Sequence, residues 1–175
     1  MAGMIAAQMP NLNLDAVAVA WLVLRAVYAW MFLYPSYGLI KDWRGTVQTT
    51  ALLFPRHTGF FAFGSLVIMI LGALAILLGI YGQWAGVALV GFNLGGALIH
   101  YRLARLVRQT HLSASANQAD QEALAGVIKL GVVGHVTSAE KNFVLTAVAL
   151  FFALVGTGPL SLDAGLGVFS MITKQ

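Results

Sequence analysis

The stretch from Thr58 to Tyr101 is the longest part of this chain without a lysine, arginine, aspartate or glutamate. A helix needs about 20 apolar residues to cross the roughly 30 Å hydrocarbon layer of a bilayer. The stretch is therefore long enough for two crossings. Other uncharged runs precede and follow it, at 16–24, 26–40 and 142–162.

The composition of the chain also favours a membrane location. Of its 175 residues, 59% are hydrophobic and 9% are charged, whereas soluble domains carry about 25% charged residues. A soluble domain with a large core would lack the charges to cover its surface. The absence of cysteine excludes disulfides, thiolate-held iron–sulfur clusters and cysteine catalysis. The net charge of +4 does not indicate a nucleic-acid partner, because the basic residues are distributed as membrane orientation requires.

These runs predict an all-α membrane four-helix bundle that forms a single domain over 1–175. Helices are expected because an open sheet edge cannot exist in lipid. The predicted spans are 16–40, 60–81, 84–101 and 142–157. A short turn joins the second and third helices, which makes them antiparallel neighbours. A long cytoplasmic loop, 102–141, joins helices 3 and 4.

Glycines at a spacing of four are expected at close helix contacts. Gly82 with Gly86, and Gly91 with Gly95, follow the small-xxx-small pattern that is common where membrane helices approach each other. The pattern predicts helix packing at these four positions and nothing more specific.

The distribution of lysine and arginine predicts the orientation. Eight of these residues fall in the two loops after the first and third spans, namely Lys41, Arg44, Arg56, Arg102, Arg105, Arg108, Lys129 and Lys141. The positive-inside rule then makes both loops cytoplasmic and both termini periplasmic, in a bacterial inner membrane. Within the second loop, Arg102, Arg105 and Arg108 are expected to contact anionic lipid headgroups. The N-terminus lacks the basic region of a secretory signal, so the first span is expected to be retained.

The fourth span ends abruptly at Gly156-Thr157-Gly158-Pro159. Glycine suits a helix C-terminus and proline prevents the helix from continuing. From Asn142 to Gly156 the helix would rise only about 22 Å, so the following residues are expected to lie low in the outer boundary of the membrane. Asp163 would then be a carboxylate close to lipid, in need of a partner.

Arg25 is the candidate partner, because it lies about 15 Å deep in the first span. An arginine at that depth is costly unless it faces protein or water, and it marks function by default. Trp21, Tyr28 and Phe32 share its helix face. We predict that Arg25 and Asp163 approach each other directly or through a ligand; the alternative is a fixed ion pair without chemistry.

Three stretches resemble the DoxX family of small four-span bacterial membrane proteins, which includes the DoxD type. The stretches are RAVYAWMFLYPSYGLIK (25–41), GALAILLGI (72–80) and GTGPLSLD (156–163), the last being the most specific. The chain departs from the family at SLVIMILG (65–72), where relatives often carry a glutamate. Its loop 102–141 is also larger than a minimal member needs.

The resemblance implies a redox-associated membrane protein, because family members are linked to thiosulfate:quinone oxidoreductase and to quinol oxidase. One hypothesis is therefore an oxidoreductase subunit that passes electrons to quinone, with Arg25, Tyr28, Phe32 and Asp163 as candidate residues of a substrate or quinone site. A guanidinium offers several fixed donors to an oxyanion or a quinone carbonyl.

The alternative hypothesis is a non-catalytic subunit that packs on a larger membrane complex, together with other membrane protein subunits. A transporter has less support, since no inverted repeat is evident. The sequence shows no evident cofactor besides a possible quinone, and no metal site. Haem between His57 and His100 is a remote possibility, because a lone histidine at a membrane interface usually bonds backbone or lipid.

Overall fold

The computed structural model describes residues 14–113 and 117–166. Its helices are α1 (Leu14–Lys41), α2 (Trp43–Thr50), α3 (Thr58–Leu78), α4 (Gly82–Arg108), α5 (Gln118–Val155) and α6 (Leu162–Leu166). Four of them, α1, α3, α4 and α5, are long and apolar enough to cross a membrane. The predicted all-α membrane bundle is thereby confirmed. The two chain ends, which were predicted to be periplasmic, fall outside the described residues.

The last membrane helix is much longer than predicted. Asn117 begins α5 as its N-cap, accepting a hydrogen bond from the backbone N–H of Asp120 at 2.8 Å. The helix then continues for 38 residues, a rise of about 57 Å. The helix that carries the predicted span 142–157 is thus longer than that span, and the predicted loop 102–141 is wrong because most of it is helical. Because α4 runs on to Arg108, the connection between the two helices is reduced to 109–117.

The extra helical turns follow from the residues that fill them. Ala, Leu, Gln, Glu and Lys, which are good helix formers, recur from Gln118 to Lys141. The neighbouring charges Glu140 and Lys141 resembled the boundary of a span, yet both are exposed on an unbroken helix. A charged pair marks a change of environment along a helix and not necessarily the end of the helix.

The most extensive helix contact is that of α4 with α5, while α3 contacts both α1 and α4. A Cβ on Gly86 would lie 2.6 Å from the Ala153 nitrogen and 2.7 Å from the Ala149 oxygen. Glycine at this position is what allows the two backbones to approach. Gly82 also packs closely, against Thr157 in the segment that follows α5.

The second predicted glycine pair does not mediate helix packing. A Cβ on Gly91 would meet no atom within 4 Å, and one on Gly95 would lie 3.7 Å from Leu53 Cδ1. The same spacing therefore gives two environments along α4, because Gly82 and Gly86 face α5 and its following segment, whereas Gly91 and Gly95 face the side of α2. Gly91 and Gly95 instead border a cavity.

The antiparallel helices place the basic connection 42–57 and the basic last turn of α4 at one end of the bundle. Gly38 near the end of α1 and Phe60 near the start of α3 line a common cavity, and Arg25 near the other end of α1 lies beside Gly79 at the end of α3. We refer to the end that carries 42–57 and the last turn of α4, with Arg105 and Arg108, as the basic end. The end that carries Gly79 and Gly156 is the opposite end.

Candidate functional site

The segment after α5 folds back over the start of the bundle. α5 stops at Gly156, whose φ of 84° lies in a region that glycine favours. Gly158 has a φ of 73°, and its α-carbon lies so close to the Trp21 indole that a Cβ would overlap the ring. Pro159 follows and prevents further helix. The glycines therefore end α5 abruptly because the chain must turn tightly against α1.

Asp163 anchors this returning segment to the turn between α3 and α4. Its Oδ1 accepts a hydrogen bond from the Tyr81 backbone N–H at 3.0 Å, and its Oδ2 accepts from the Gly82 N–H at 3.2 Å. Its own N–H donates to the Gly79 carbonyl at 2.8 Å. A carboxylate is favourable there because the first N–H groups of a helix lack partners within it.

Arg25 lies in the core at the opposite end and is 1% exposed. Its Nη2 donates to the Leu160 carbonyl at 2.9 Å. Its Nε and Nη1 have no hydrogen-bond partner among the described residues. Nη1 lies 2.8 Å from the place where a Cβ of Gly79 would be, so glycine makes room for the guanidinium.

The direct ion pair predicted between Arg25 and Asp163 does not form in the described structure. Both side chains reach the surroundings of Gly79, but the carboxylate is engaged by the first N–H groups of α4, and the guanidinium bonds a carbonyl. The physical reason is that backbone donors at a helix N-terminus give each carboxylate oxygen a charge-assisted hydrogen bond, which stabilises the carboxylate without the guanidinium.

Tyr28 and Phe32, predicted to flank a quinone ring, are each 2% exposed. The Tyr28 hydroxyl donates to the Leu145 carbonyl at 3.1 Å, and the Phe32 ring lies 6.0 Å from the Phe92 ring. Arg25, Tyr28 and Phe32 are thus packed inside the protein, and none of them lines the cavity towards the other end of the bundle. Their role in binding stays a prediction that would require the core to open.

Asn93 is a buried polar residue that sequence reasoning missed. Its Nδ2 donates to the Leu89 carbonyl at 2.8 Å and lies 3.5 Å from the Tyr28 hydroxyl, while its Oδ1 has no partner among the described residues. The available signal was an amide within an uncharged span, since polar side chains in membrane helices usually face the bundle interior.

A cavity of about 630 Å³ lies towards the basic end, between α1, α2, α3 and α4. Four aromatic side chains line it: Phe54, Phe60, Phe61 and Phe92. The rings of Phe54 and Phe61 stack, with centroids 4.2 Å apart and planes at 13°. Gly64 and Gly91, where a Cβ would meet nothing within 4 Å, leave the space open.

Residues with hydroxyl groups, together with the acidic residue Asp42, supply the polar part of the cavity lining. Thr46 donates to the Leu39 carbonyl at 2.8 Å, Thr50 donates to the Thr46 carbonyl at 2.8 Å, and Ser65 donates to the Ala62 carbonyl at 2.9 Å. Because each hydroxyl uses its proton on the backbone, its oxygen still has lone pairs that can accept a hydrogen bond. The cavity therefore combines aromatic surface with acceptors for a ligand hydroxyl.

The short helix α2 positions two of these threonines and was not predicted. Asp42 is its N-cap, with Oδ1 accepting from the Gly45 N–H at 3.1 Å. The signal was an aspartate directly after the first span, a residue type that favours the N-cap position. The helix was missed because a segment of eight residues is too short to show a clear period.

The histidine beside His100 is not the one that the haem hypothesis required. His100 pairs with His135 of α5, with 3.2 Å between their Nδ1 atoms, and not with His57, which is the N-cap of α3. The remote haem hypothesis for His57 and His100 thus gains no support from this arrangement.

Arg102, Arg105 and Arg108 are exposed near the end of α4, where contact with lipid headgroups stays a prediction.

The fold and these sites define a multi-pass α-helical membrane protein, which implies contact with the lipid bilayer. The DoxX family model matches residues 20–102, a stretch that begins in α1 and ends in α4. The match covers slightly less than half of the chain and supports the resemblance to the DoxX family that the motifs predicted. No curated protein and no solved structure shows significant similarity to the chain.

Proposed function

We propose that this DoxX-like protein is the quinone-binding membrane subunit of a redox system, with thiosulfate as a candidate reductant. The observation that carries the proposal is the aromatic-lined cavity at the basic end. Its volume of about 630 Å³ lies within the range of about 300–1,000 Å³ typical of small-molecule sites.

The chemistry of the lining suits a quinone and its reduced form. The stacked Phe54 and Phe61 rings offer an aromatic face to a planar ring. Thr46, Thr50 and Ser65 offer oxygen acceptors to the hydroxyl groups of a quinol. The remaining lining is mainly apolar and suits the first units of a hydrocarbon tail.

The proposed quinone site is the cavity at the basic end, and not the surroundings of the residues that the sequence analysis favoured. Phe92 borders the cavity, and Phe32 lies behind it at a ring distance of 6.0 Å. The buried guanidinium of Arg25, with two N–H groups free of partners among the described residues, remains a candidate for holding an oxyanion if the opposite end of the bundle opens. Asp163 then acts by fixing the returning segment.

A glycine substitution that fills the cavity tests the proposal. We expect Gly91→Leu to lower the bound quinone, or the affinity for added quinone, about tenfold or more, which corresponds to about 1.4 kcal/mol. The matched control is Gly126→Leu on α5, because a Cβ at Gly126 also meets nothing within 4 Å and Gly126 does not border the cavity. Quinone is measured by solvent extraction of protein purified in mild detergent.

The same purification separates the proposal from an accessory role. Bound quinone in wild-type protein that is lost specifically in Gly91→Leu supports a quinone site. A stoichiometric complex with other chains, without quinone on this one, would contradict it and favour a non-catalytic packing subunit.

We also propose that the protein lies in a bacterial inner membrane with its basic end in the cytoplasm. Since the chain has no cysteine, Tyr81→Cys and Gln109→Cys introduce single labels at the two ends, where both residues are exposed. A membrane-impermeant thiol reagent is expected to label Tyr81→Cys in intact spheroplasts, and Gln109→Cys only after the membrane is opened. The reverse pattern would contradict the orientation.

A further inference from the structure

Two histidines from different helices meet near the basic end. His100 of α4 and His135 of α5 have their Nδ1 atoms 3.2 Å apart, their ring centroids 5.5 Å apart and their planes at 37°. Both side chains are half-buried. The pair is therefore accessible to small solutes while its geometry is set by two packed helices.

Close contacts on both sides hold the two helices in place. On one side a Cβ on Gly96 would lie 2.8 Å from Asn142 Nδ2, and on the other a Cβ on Gly131 would lie 3.1 Å from Val107 Cγ1. The histidines lie between these two contacts along the helices. The separation of the imidazoles is consequently a property of the α4–α5 packing and not of two flexible side chains.

The separation of the nitrogens fits two ligands of one metal ion. With metal–nitrogen bonds of about 2.0–2.1 Å and a tetrahedral angle, two imidazole nitrogens lie about 3.3 Å apart. Without a metal, one Nδ1 must donate a proton to the other, because two facing lone pairs repel. We propose that His100 and His135 form a binding site for a divalent transition-metal ion that joins α4 to α5.

The surroundings limit which ions can bind. Lys141 acts electrostatically on His100, and its positive charge opposes every divalent cation, so binding depends on the strength of the metal–nitrogen bonds. Residues 14–113 and 117–166 contain no group of three or more His, Cys, Asp or Glu side chains placed to hold a metal. The site therefore has two protein nitrogens, with water completing the coordination, and it favours ions with high affinity for imidazole such as Cu²⁺ and Zn²⁺ over Mg²⁺.

Metal titration of the full chain tests this site. The protein is purified in detergent with its affinity tag removed, and Zn²⁺, Cu²⁺ and Mg²⁺ are added in turn in a calorimeter. We expect one ion per chain, Cu²⁺ bound more tightly than Zn²⁺, and no binding of Mg²⁺. His100→Gln and His135→Gln should each weaken Zn²⁺ binding about tenfold or more, whereas His111→Gln, in the exposed connection, should leave it unchanged.

Two results would overturn the proposal. One is the absence of saturable Zn²⁺ and Cu²⁺ binding by the wild-type chain; the other is unchanged binding in both histidine variants. If the variants do not fold, the visible absorption of the wild-type protein loaded with Co²⁺ is measured instead. An intense absorption indicates a tetrahedral site with nitrogen ligands, and its absence rejects the site.

Discussion

Gly86→Ala is expected to destabilise the protein strongly, because the new methyl group would collide with the backbone of α5. The Ala153 nitrogen and the Ala149 oxygen lie 2.6 and 2.7 Å from the added Cβ, and helix backbones cannot move aside as flexible side chains can. Overpacking costs about 1–3 kcal/mol, and rigid neighbours place this case near the upper end. The midpoint of unfolding in mixed micelles, followed by tryptophan fluorescence, should fall clearly.

The matched control for this substitution lies on the same helix. Gly91→Ala adds the same methyl group where no atom lies within 4 Å. Because alanine favours a helix over glycine by about 1 kcal/mol, the midpoint should stay or rise. Equal losses of stability in Gly86→Ala and Gly91→Ala would contradict the close α4–α5 packing.

Arg25→Asp is expected to prevent accumulation of folded protein, and the added change Asp163→Arg should not restore it. The single change places a carboxylate without a cationic partner inside the first membrane helix, which costs about 2.5–3.5 kcal/mol at the centre of a span. The second change removes the carboxylate that accepts from the N–H groups of Tyr81 and Gly82 and places a cation at a helix N-terminus, where the dipole is unfavourable. Folded protein is measured by size-exclusion chromatography in detergent.

A neutral variant separates charge from packing at the same position. Arg25→Met keeps most of the side-chain length and loses the hydrogen bond to the Leu160 carbonyl, so we expect a stability much closer to the wild type. If the double variant instead recovered wild-type amounts, a direct ion pair between Arg25 and Asp163 would be supported and the geometry described above would be wrong.

The membrane spans were predictable because lipid imposes a strong rule on composition. The uncharged run 58–101 predicted two helices joined by a minimal turn, and α3 and α4 form that pair. The start of α5 was not predictable in the same way. Residues 118–141 lie at the edge of the apolar region, where helix continuity depends on local propensity and on contacts such as that of Gly131 with Val107.

The sequence indicated which residues belong to the candidate site, but it did not indicate which hydrogen-bond partners they have. Arg25 stood out as a charge inside a span, and the glycines of 156–158 indicated a sharp turn. Which acceptor Arg25 finds, and which donors Asp163 finds, depends on where the segment 157–163 crosses the turn between α3 and α4. The spacing of residues in the sequence does not indicate where this crossing lies.

The cavity was not predictable because its glycines resemble packing glycines. Gly82 and Gly86 contact α5 and its following segment, while Gly91 and Gly95 border open space, although both pairs have the same spacing. The difference arises from the position of α2, a short helix whose threonines face the cavity. The sequence signal for α2 was Asp42, a residue type that favours the N-cap position of a helix.

Photo-crosslinking with a light-activated quinone analogue most directly tests whether the cavity binds a quinone. The analogue is added to the purified full-length protein, and the labelled peptides are identified with and without excess unlabelled quinone. We expect label in 54–65, which supplies Phe54 and Phe61, and we expect unlabelled quinone to abolish it. Label in 25–32 instead, or labelling that excess quinone does not reduce, would contradict a quinone site at the basic end.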